Sequence, residues 1–172
     1  MRLAIAAVIM LTPAFALAAP PASESDSIAI GPWQIEANYR AETFKSCVMS
    51  RTTEDGVEVR FVRDADGLLM TLHSPRWQLG KGKSYPVQLV AGSSTLDAEA
   101  AATANSVSTP IGDDKFLKSL GLADQLEIKG AGSTIVVALD RSAAGLERLE
   151  TCFANNGSAT ESNPFVAPPK QP

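Results

Sequence analysis

The sequence predicts a mainly β fold: an antiparallel β-sandwich or flattened barrel with one short internal helix and a C-terminal helix. Three observations support this prediction. Apolar and polar residues alternate along many short stretches, which is the pattern of half-buried strands. Turn sequences separate these stretches at intervals of about 8 to 12 residues, as in sandwiches and barrels. Apolar residues at helical spacing occur in two late segments.

The first strands are predicted from alternation and from turn residues. Trp33–Tyr39 places apolar side chains at every second position. Glu54–Gly56 and Asp64–Gly67 are hairpin turns, in which glycine supplies a positive φ. The intervening Val57–Phe61 alternates again, and Leu68–Leu72 is a more buried strand.

The middle of the chain is less uniform. Tyr85–Val90 is predicted as a strand, whereas residues 95–104 fit either a strand or a helix, because their alanines tolerate both. Residues 105–111 are expected to form an extended segment at a sheet edge, since Pro110 cannot donate a ladder hydrogen bond.

The last third contains both helices. Asp113 or Gly112 can cap the short helix, which Gly121 should end. Its apolar face is formed by Phe116, Leu117 and Leu120. Leu126 and Ile128 mark a brief strand, and the β-prone run Thr134–Leu139 is another. Asp140 or Ser142 then caps the C-terminal helix. Its predicted apolar face comprises Ala143, Leu146, Leu149 and Phe153.

Residues 1–18 have the features of a signal peptide. Arg2 precedes the apolar run Leu3–Leu11, which is too short to span a bilayer, and Ala16–Ala18 offers small residues to a signal peptidase. Cleavage is expected before Ala19. The sequence therefore predicts a periplasmic or secreted protein with no integral membrane segment after signal cleavage.

Beyond the signal, we expect a flexible leader (19–31), a single β-rich domain (32–155) and a disordered, proline-rich tail (156–172).

The chain of 172 residues carries 19 acidic and 15 basic side chains, a net charge of −4. This acidic balance argues against nucleic-acid binding. A single domain with one histidine also offers too few soft ligands for structural zinc.

Cys47 and Cys152 are the two cysteines of the chain. In an oxidising compartment they are expected to pair, and closing so long a loop stabilises a fold by about 4 to 5 kcal/mol in the chain-entropy model. The alternative is a redox-active pair, but the C-x-x-C spacing and an adjacent histidine are both missing. We therefore predict one structural, intramolecular disulfide.

Three segments share letters with functional motifs but lack their requirements. Gly80–Ser84 ends like a phosphate-binding loop, yet Trp77 occupies the place of the first glycine and Pro86 prevents the helix that must follow. Asp64–Gly67 lacks the later ligands of a calcium loop. His73 has no nucleophile or orienting carboxylate near it in sequence. The sequence therefore predicts no catalytic, cofactor-binding or metal-binding residues.

One segment is a possible partner-binding loop. It combines cations and aromatic rings in Arg76, Trp77, Lys81, Lys83 and Tyr85. Such a loop could bind an anionic glycan or a partner carboxylate by charge and cation–π contacts. Alternatively, Trp77 belongs to the core and the lysines keep a sheet edge soluble, which is the more common arrangement.

Several of these features occur together in a known family: a strand that opens at Trp33, a cysteine soon after it, a Pro75-x-Trp77-x-Leu79-x-x-Gly82 segment, and a closing strand and helix from Ile135 to Cys152. Over residues 33–154 the chain resembles the invasion-associated locus B family and similar small periplasmic proteins of alphaproteobacteria. It differs at Asp140–Ser142, where the family has a Gly-Phe or Gly-Ser step, and it lacks the family's mid-chain cysteines. The resemblance implies an exported β-sandwich with no catalytic residues to carry over.

The leading functional hypothesis is a non-enzymatic, periplasmic accessory or virulence-associated domain that binds a protein or an envelope component, as a monomer. The alternative is an inhibitor of a secreted hydrolase, and a hydrolytic enzyme is the third hypothesis. An inhibitor should project one rigid loop, whereas an enzyme should have a concave pocket with converging polar groups.

The signal peptide leads to a first prediction. Protein recovered from the periplasm should begin at Ala19, because Ala16 and Ala18 fit the small-residue subsites of signal peptidase. Intact-mass analysis or Edman sequencing checks this, and recovery of a chain that still begins at Met1 would refute it.

Overall fold

The computed structural model describes residues 27–157, in which ten strands and two helices alternate with short turns. Their bounds are β1 Ile28–Ile30, β2 Trp33–Arg40, β3 Thr43–Thr52, β4 Glu58–Asp64, β5 Gly67–His73, β6 Ser84–Ala91, β7 Ser94–Ala102, β8 Ser106–Pro110, α1 Asp114–Leu122, β9 Gln125–Lys129, β10 Thr134–Ala138 and α2 Ser142–Gly157. The mainly β class, with a short internal helix and a C-terminal helix, is confirmed.

The strands form one antiparallel sheet in the order β1-β2-β3-β4-β5-β8-β7-β6-β9-β10. The sheet curls so that the end of β10 meets β2 and β3. The indole Nε1 of Trp33 donates a hydrogen bond to the carbonyl oxygen of Asp140 at 2.9 Å, and the guanidinium of Arg51 donates to the carbonyl oxygen of Ala138. This closure fits the predicted sandwich or flattened barrel.

The core lies between the two walls of the curled sheet and under the helices. Alternation correctly identified its first members, since Trp33, Ile35, Val59 and Phe61 are each at most 2% exposed. The Trp33 and Phe61 rings lie 5.9 Å apart between centroids. The other fully buried large side chains are Met49, Leu72, Leu89, Phe116, Leu120, Leu126, Val137 and Leu149.

The two helices are held by polar contacts at their ends and by close packing. Asp113 caps α1, as predicted, by accepting a 2.6 Å hydrogen bond from the backbone N–H of Phe116. The hydroxyl of Ser142, at the start of α2, donates to the carbonyl oxygen of Leu120 at 2.7 Å. Gly145 lets α2 approach the sheet closely, since a Cβ there would lie 2.7 Å from Cε of Met49.

The predicted disulfide is confirmed. Cys47 in β3 and Cys152 in α2 are bonded, with their Cα atoms 6.1 Å apart and 105 positions between them. Both are buried. Beside the bond, the guanidinium of Arg63 lies 4.5 Å from the Phe153 ring centroid and 3.1 Å from the Glu150 carboxylate. The disulfide therefore joins the C-terminal helix to the sheet at a packed site.

The structure settles one open alternative and corrects two local predictions. The ambiguous stretch at 95–104 is largely strand, as β7. The predicted edge segment at 105–111 was wrong, because β8 lies between β5 and β7. Pro110 is tolerated there since it is the last residue of the strand. Tyr39 is 51% exposed rather than inward-facing, because the β2–β3 pairing shifts register between Asn38 and Tyr39.

Element ends also differ from the sequence-based boundaries. Ile28–Ile30, assigned to the flexible leader, pairs with β2, which is a tertiary contact that leader composition does not reveal. Helix α1 continues past Gly121 through Leu122, and α2 extends to Gly157. The C-terminal helix buries Ser142, Gly145, Leu149 and Cys152, whereas Ala143 is exposed. The predicted signal peptide (1–18), most of the predicted leader (19–26) and the predicted disordered tail from residue 158 onward lie outside the described residues.

Within residues 27–157, neither helix is long and apolar enough to cross a membrane.

Removal of the disulfide should destabilise the fold without abolishing it. We expect the double variant Cys47→Ala/Cys152→Ala to lose about 2 to 5 kcal/mol of unfolding free energy, because the unfolded chain is no longer cross-linked. Urea unfolding followed by circular dichroism measures this. Reduced wild-type protein is the control and should unfold at a similarly lowered urea concentration. A double variant as stable as the oxidised protein would contradict the structural role.

Candidate functional site

An apolar groove of about 600 Å³ opens where the turn between β3 and β4 faces the hairpin between β9 and β10. Asp55 forms part of one wall, and residues 130–134 form the other. The apolar side chains that line it are Val57, Trp77, Leu79, Val87, Val107 and Ile135. The groove thus combines residues from distant parts of the chain, which the curled sheet brings together.

Trp77 occupies a rigid position in this groove. The backbone around it is tied down, because Ser74 N–H donates to the Asn105 carbonyl at 3.0 Å and Trp77 N–H donates to the Ser74 carbonyl at 3.1 Å. Leu79 N–H donates to the Ala104 carbonyl at 2.8 Å. The indole is half-buried and packs against the core. Trp77 therefore closes one end of the core and presents its remaining surface to the groove.

The following loop is fixed to β7. Lys83 N–H donates to the Gly80 carbonyl at 3.0 Å, and Gly82, at φ +78°, donates its N–H to the Ala102 carbonyl at 2.9 Å. The hydroxyl of Tyr85 accepts a hydrogen bond from Gly80 N–H at 3.3 Å. The Tyr85 ring is thereby held in the wall of the groove.

Arg76 links the loop to the opposite wall. Its guanidinium donates to the backbone carbonyl of Asp55, in the turn between β3 and β4. That turn is itself closed by Thr53, whose N–H donates to the Val57 carbonyl at 2.8 Å and whose hydroxyl accepts from Val57 N–H at 3.1 Å. Arg76 therefore sits at the rim, with its positive charge facing solvent.

The structure brings together part of the predicted partner-binding loop. Trp77 and Tyr85 line the groove and Arg76 lies at its rim, whereas Lys81 and Lys83 are exposed and outside the lining. Among the described residues, no carboxylate lies within ion-pair distance of any of the three cations. Three cations without a described ion pair thus lie at the rim of the groove or in the loop between its lining residues Leu79 and Tyr85, and Asp55 is the one carboxylate among the described lining residues.

Sequence reasoning missed the second wall. Val57 and Ile135 are predicted only as strand residues, and the hairpin at Gly130–Ser133 belongs to none of the predicted sites. The one sequence signal for this wall is the strongly β-prone run Thr134–Leu139, and it does not show that Val136 is exposed.

A larger pocket, of about 1050 Å³, lies between β2 and the end of α2, beside Cys152. Ser27 and Asn156 both line it, so it adjoins the two ends of the described chain. Its lining is also more polar, with Glu36 and Glu42 among its members. The groove at Trp77 is the better candidate site, because its lining is more apolar and includes Trp77 and Tyr85 of the predicted partner-binding loop.

The chemistry expected of a catalytic or metal centre does not gather at the groove. His73 does have a carboxylate nearby, since Glu58 lies opposite it on β4 with its oxygen 3.7 Å from Nδ1, a neighbour that the sequence alone did not show. Neither residue lines the groove. Among residues 27–157, no group of three or more His, Cys, Asp or Glu side chains is placed to hold a metal ion.

Comparison with known proteins identifies the fold. No protein-family model and no curated protein sequence matches this chain. Among solved structures, the chain is similar to invasion associated protein B from Bartonella henselae, with a TM-score of 0.56 and 19% sequence identity. The match covers 75% of this chain and 97% of that protein's chain. The resemblance in fold that the sequence predicted is therefore confirmed.

The Tyr85 contact generates a local prediction. In Tyr85→Phe, the Gly80 amide should exchange with solvent faster, because it loses the oxygen that accepts its hydrogen bond. The Gly82 amide is the internal control, since its bond to Ala102 is unchanged. Amide exchange measured by NMR distinguishes the two. Equal acceleration at both positions would mean that the whole loop had loosened and that the Tyr85 hydroxyl holds nothing specific.

Proposed function

We propose that this chain is an exported, non-enzymatic binding domain of the periplasm, of the accessory or virulence-associated kind, and that the groove beside Trp77 receives a protein or an envelope component. The observation that carries the proposal is the groove itself. Its aromatic walls are preformed, and binding to a preformed site costs less conformational entropy than binding to a mobile loop.

Export is supported by two independent features. The disulfide between Cys47 and Cys152 is typical of an oxidising compartment, where small secreted domains use such bonds. The sequence of residues 1–18 carries the signal-peptide pattern. The similarity in fold to a protein titled invasion associated protein B supports the accessory or virulence-associated class.

Recognition is favoured over catalysis by the composition of the groove. The titratable side chains in its lining are Asp55 and Tyr85, and the Tyr85 hydroxyl is already engaged with Gly80. General acid–base or nucleophilic catalysis requires a second reactive group within hydrogen-bond reach. The lining also contains the hydroxyls of Ser133 and Thr134, but no described hydrogen bond joins either of them to Asp55. Aromatic and aliphatic side chains with a cationic rim are instead typical of a protein-binding hot spot.

A concave site also favours a receptor over an inhibitor. An inhibitor of a hydrolase presents a projecting loop with a central anchor that enters the enzyme. Here the candidate anchor, Trp77, is half-buried in its own core, and hydrogen bonds hold its neighbours Ser74 and Leu79 against the sheet.

Site-specific photo-crosslinking tests the proposal. A photoreactive phenylalanine analogue at Pro86, which is exposed and lines the groove, should cross-link one discrete partner in living cells. The matched control is the same analogue at Leu122, an apolar residue that is 86% exposed on α1, away from the groove.

The cross-link should depend on Trp77. Trp77→Ala should reduce it by about tenfold or more, because a central aromatic hot spot contributes about 2 kcal/mol or more to binding. Melting temperature verifies that the variant is folded. Equal cross-linking from Pro86 and Leu122, or a cross-link that survives Trp77→Ala in a folded protein, would refute the groove as the binding site.

A further inference from the structure

We infer that the groove receives an extended, acidic–apolar peptide segment that adds to the sheet as a new strand along β10. The inference rests on the proposed function and specifies its partner class. Strand addition uses main-chain hydrogen bonds for affinity and alternate side-chain pockets for specificity.

The first observation is that β10 is an open edge of the sheet. Among residues 27–157, its one strand neighbour is β9. Gly130 N–H donates to the Ser133 carbonyl at 2.9 Å, and Leu139 N–H donates to the Asp124 carbonyl at 2.8 Å. Because an antiparallel ladder alternates, Ile135 and Val137 also bond to β9, whereas Thr134 and Val136 direct their N–H and C=O groups away from it.

The contact of Arg51 with β10 agrees with this alternation and shortens the part of the edge that is free to pair. Its guanidinium donates to the carbonyl oxygen of Ala138, which therefore faces away from β9 as the pattern requires. That contact occupies the end of β10 near Trp33 and leaves Thr134 and Val136 available. Thr134 also lines the groove, so the free edge runs directly into it.

The second observation is that β10 lacks the usual protection of an edge strand. Natural edges are short, or carry charged residues, proline or a bulge that prevent pairing with other chains. The opposite edge, β1, follows this rule with three residues. In contrast, β10 has five residues, none charged, and Val136 is 48% exposed. An unprotected edge of this kind is expected where pairing is functional.

The third observation concerns the chemistry of the partner. Apolar side chains on one face of an added strand would contact Trp77, Val57 and Ile135 in the groove. Arg76 contacts the Asp55 carbonyl at the rim, and Lys81 and Lys83 lie in the loop between the lining residues Leu79 and Tyr85. None of the three has a described ion pair, and together they outnumber Asp55, the one carboxylate among the described lining residues. Charge complementarity therefore favours acidic side chains on the peptide, with the groove selecting the alternate apolar positions.

Synthetic peptides of about eight residues test this inference. The probe alternates valine and glutamate. One matched peptide replaces glutamate with lysine, and another carries N-methyl groups at alternate residues, which block strand pairing. We expect binding of the first probe, with a salt-dependent affinity, and at least about tenfold weaker binding of the other two. Equal affinity for all three peptides, or no binding of the first, would overturn the inference.

Variants at Val136 separate backbone pairing from side-chain contact. Val136→Pro removes the outward N–H while leaving the bonds of Val137 to β9, and it should weaken binding of the valine–glutamate probe about tenfold or more. Val136→Thr keeps the N–H and a similar shape, and it should bind like the wild type. Loss of binding in both variants would overturn strand addition, because the side chain would then carry the contact.

Amide exchange of the wild-type protein gives a second readout that needs no variant. On addition of the probe, the Thr134 and Val136 amides should become protected, while Ile135 and Val137 are protected already. Protection confined to Trp77 and Tyr85 would refute strand addition and leave the groove as a binding site. The proposed function fails separately, if the Pro86 cross-link is absent or independent of Trp77.

Discussion

The closure of the sheet around Trp33 is the constraint on which the remaining structure depends. Its indole is completely buried, it donates to the Asp140 carbonyl, and the Arg51 guanidinium lies 5.2 Å from its ring centroid. A buried indole N–H without an acceptor would be costly, so this hydrogen bond selects the curled arrangement over an open sheet. The end of β10 is consequently placed beside β2 and β3, and α2 must start there. Gly145 then permits α2 to pack onto Met49, and the disulfide secures the far end of the helix.

The curled sheet is closed by hydrogen bonds at the end near Trp33, and its opposite end is not covered in the same way. Helix α1 covers the tip of the β6–β7 hairpin, where the hydroxyls of Ser94 and Ser119 lie 2.6 Å apart. At the opposite end of β6, at Tyr85, no described helix covers the core, and the segment around Trp77 fills the gap only in part. Of the two interpretations of Trp77 left open by the sequence, packing against the core is observed, whereas partner binding stays a prediction. The buried part of the Trp77 indole packs against the core, and its exposed part lines the groove.

The sequence predicts the parts of this fold that depend on local periodicity. The strand at Val59 and Phe61, the Asp113 cap and the pairing of the two cysteines each follow from neighbouring residues or from residue type. The interior position of β8 does not, since Pro110 disfavours a central strand locally and only its place at the strand end makes it acceptable. The sequence predicts some of the residues that line the groove but not the others. Trp77 and Tyr85 are close in sequence, but Val57 and Ile135 join them only through long-range closure, which no local pattern encodes.

The kind of ligand that suits the groove depends on which of its polar groups have no hydrogen-bond partner within the described fold. An enzyme concentrates reactive side chains at its pocket, whereas here the His73–Glu58 pair lies outside the lining. At the groove, Thr134 contributes backbone N–H and C=O groups that do not bond to β9. Backbone N–H and C=O groups at a free strand edge can pair with the backbone of another chain in extended conformation, as in strand addition. The unpaired edge of β10, which would favour aggregation in an isolated domain, thus serves to bind the proposed partner strand. The short β1 edge shows that this chain protects its other edge in the ordinary way, so the exposure of β10 is a property of that site rather than of the fold as a whole.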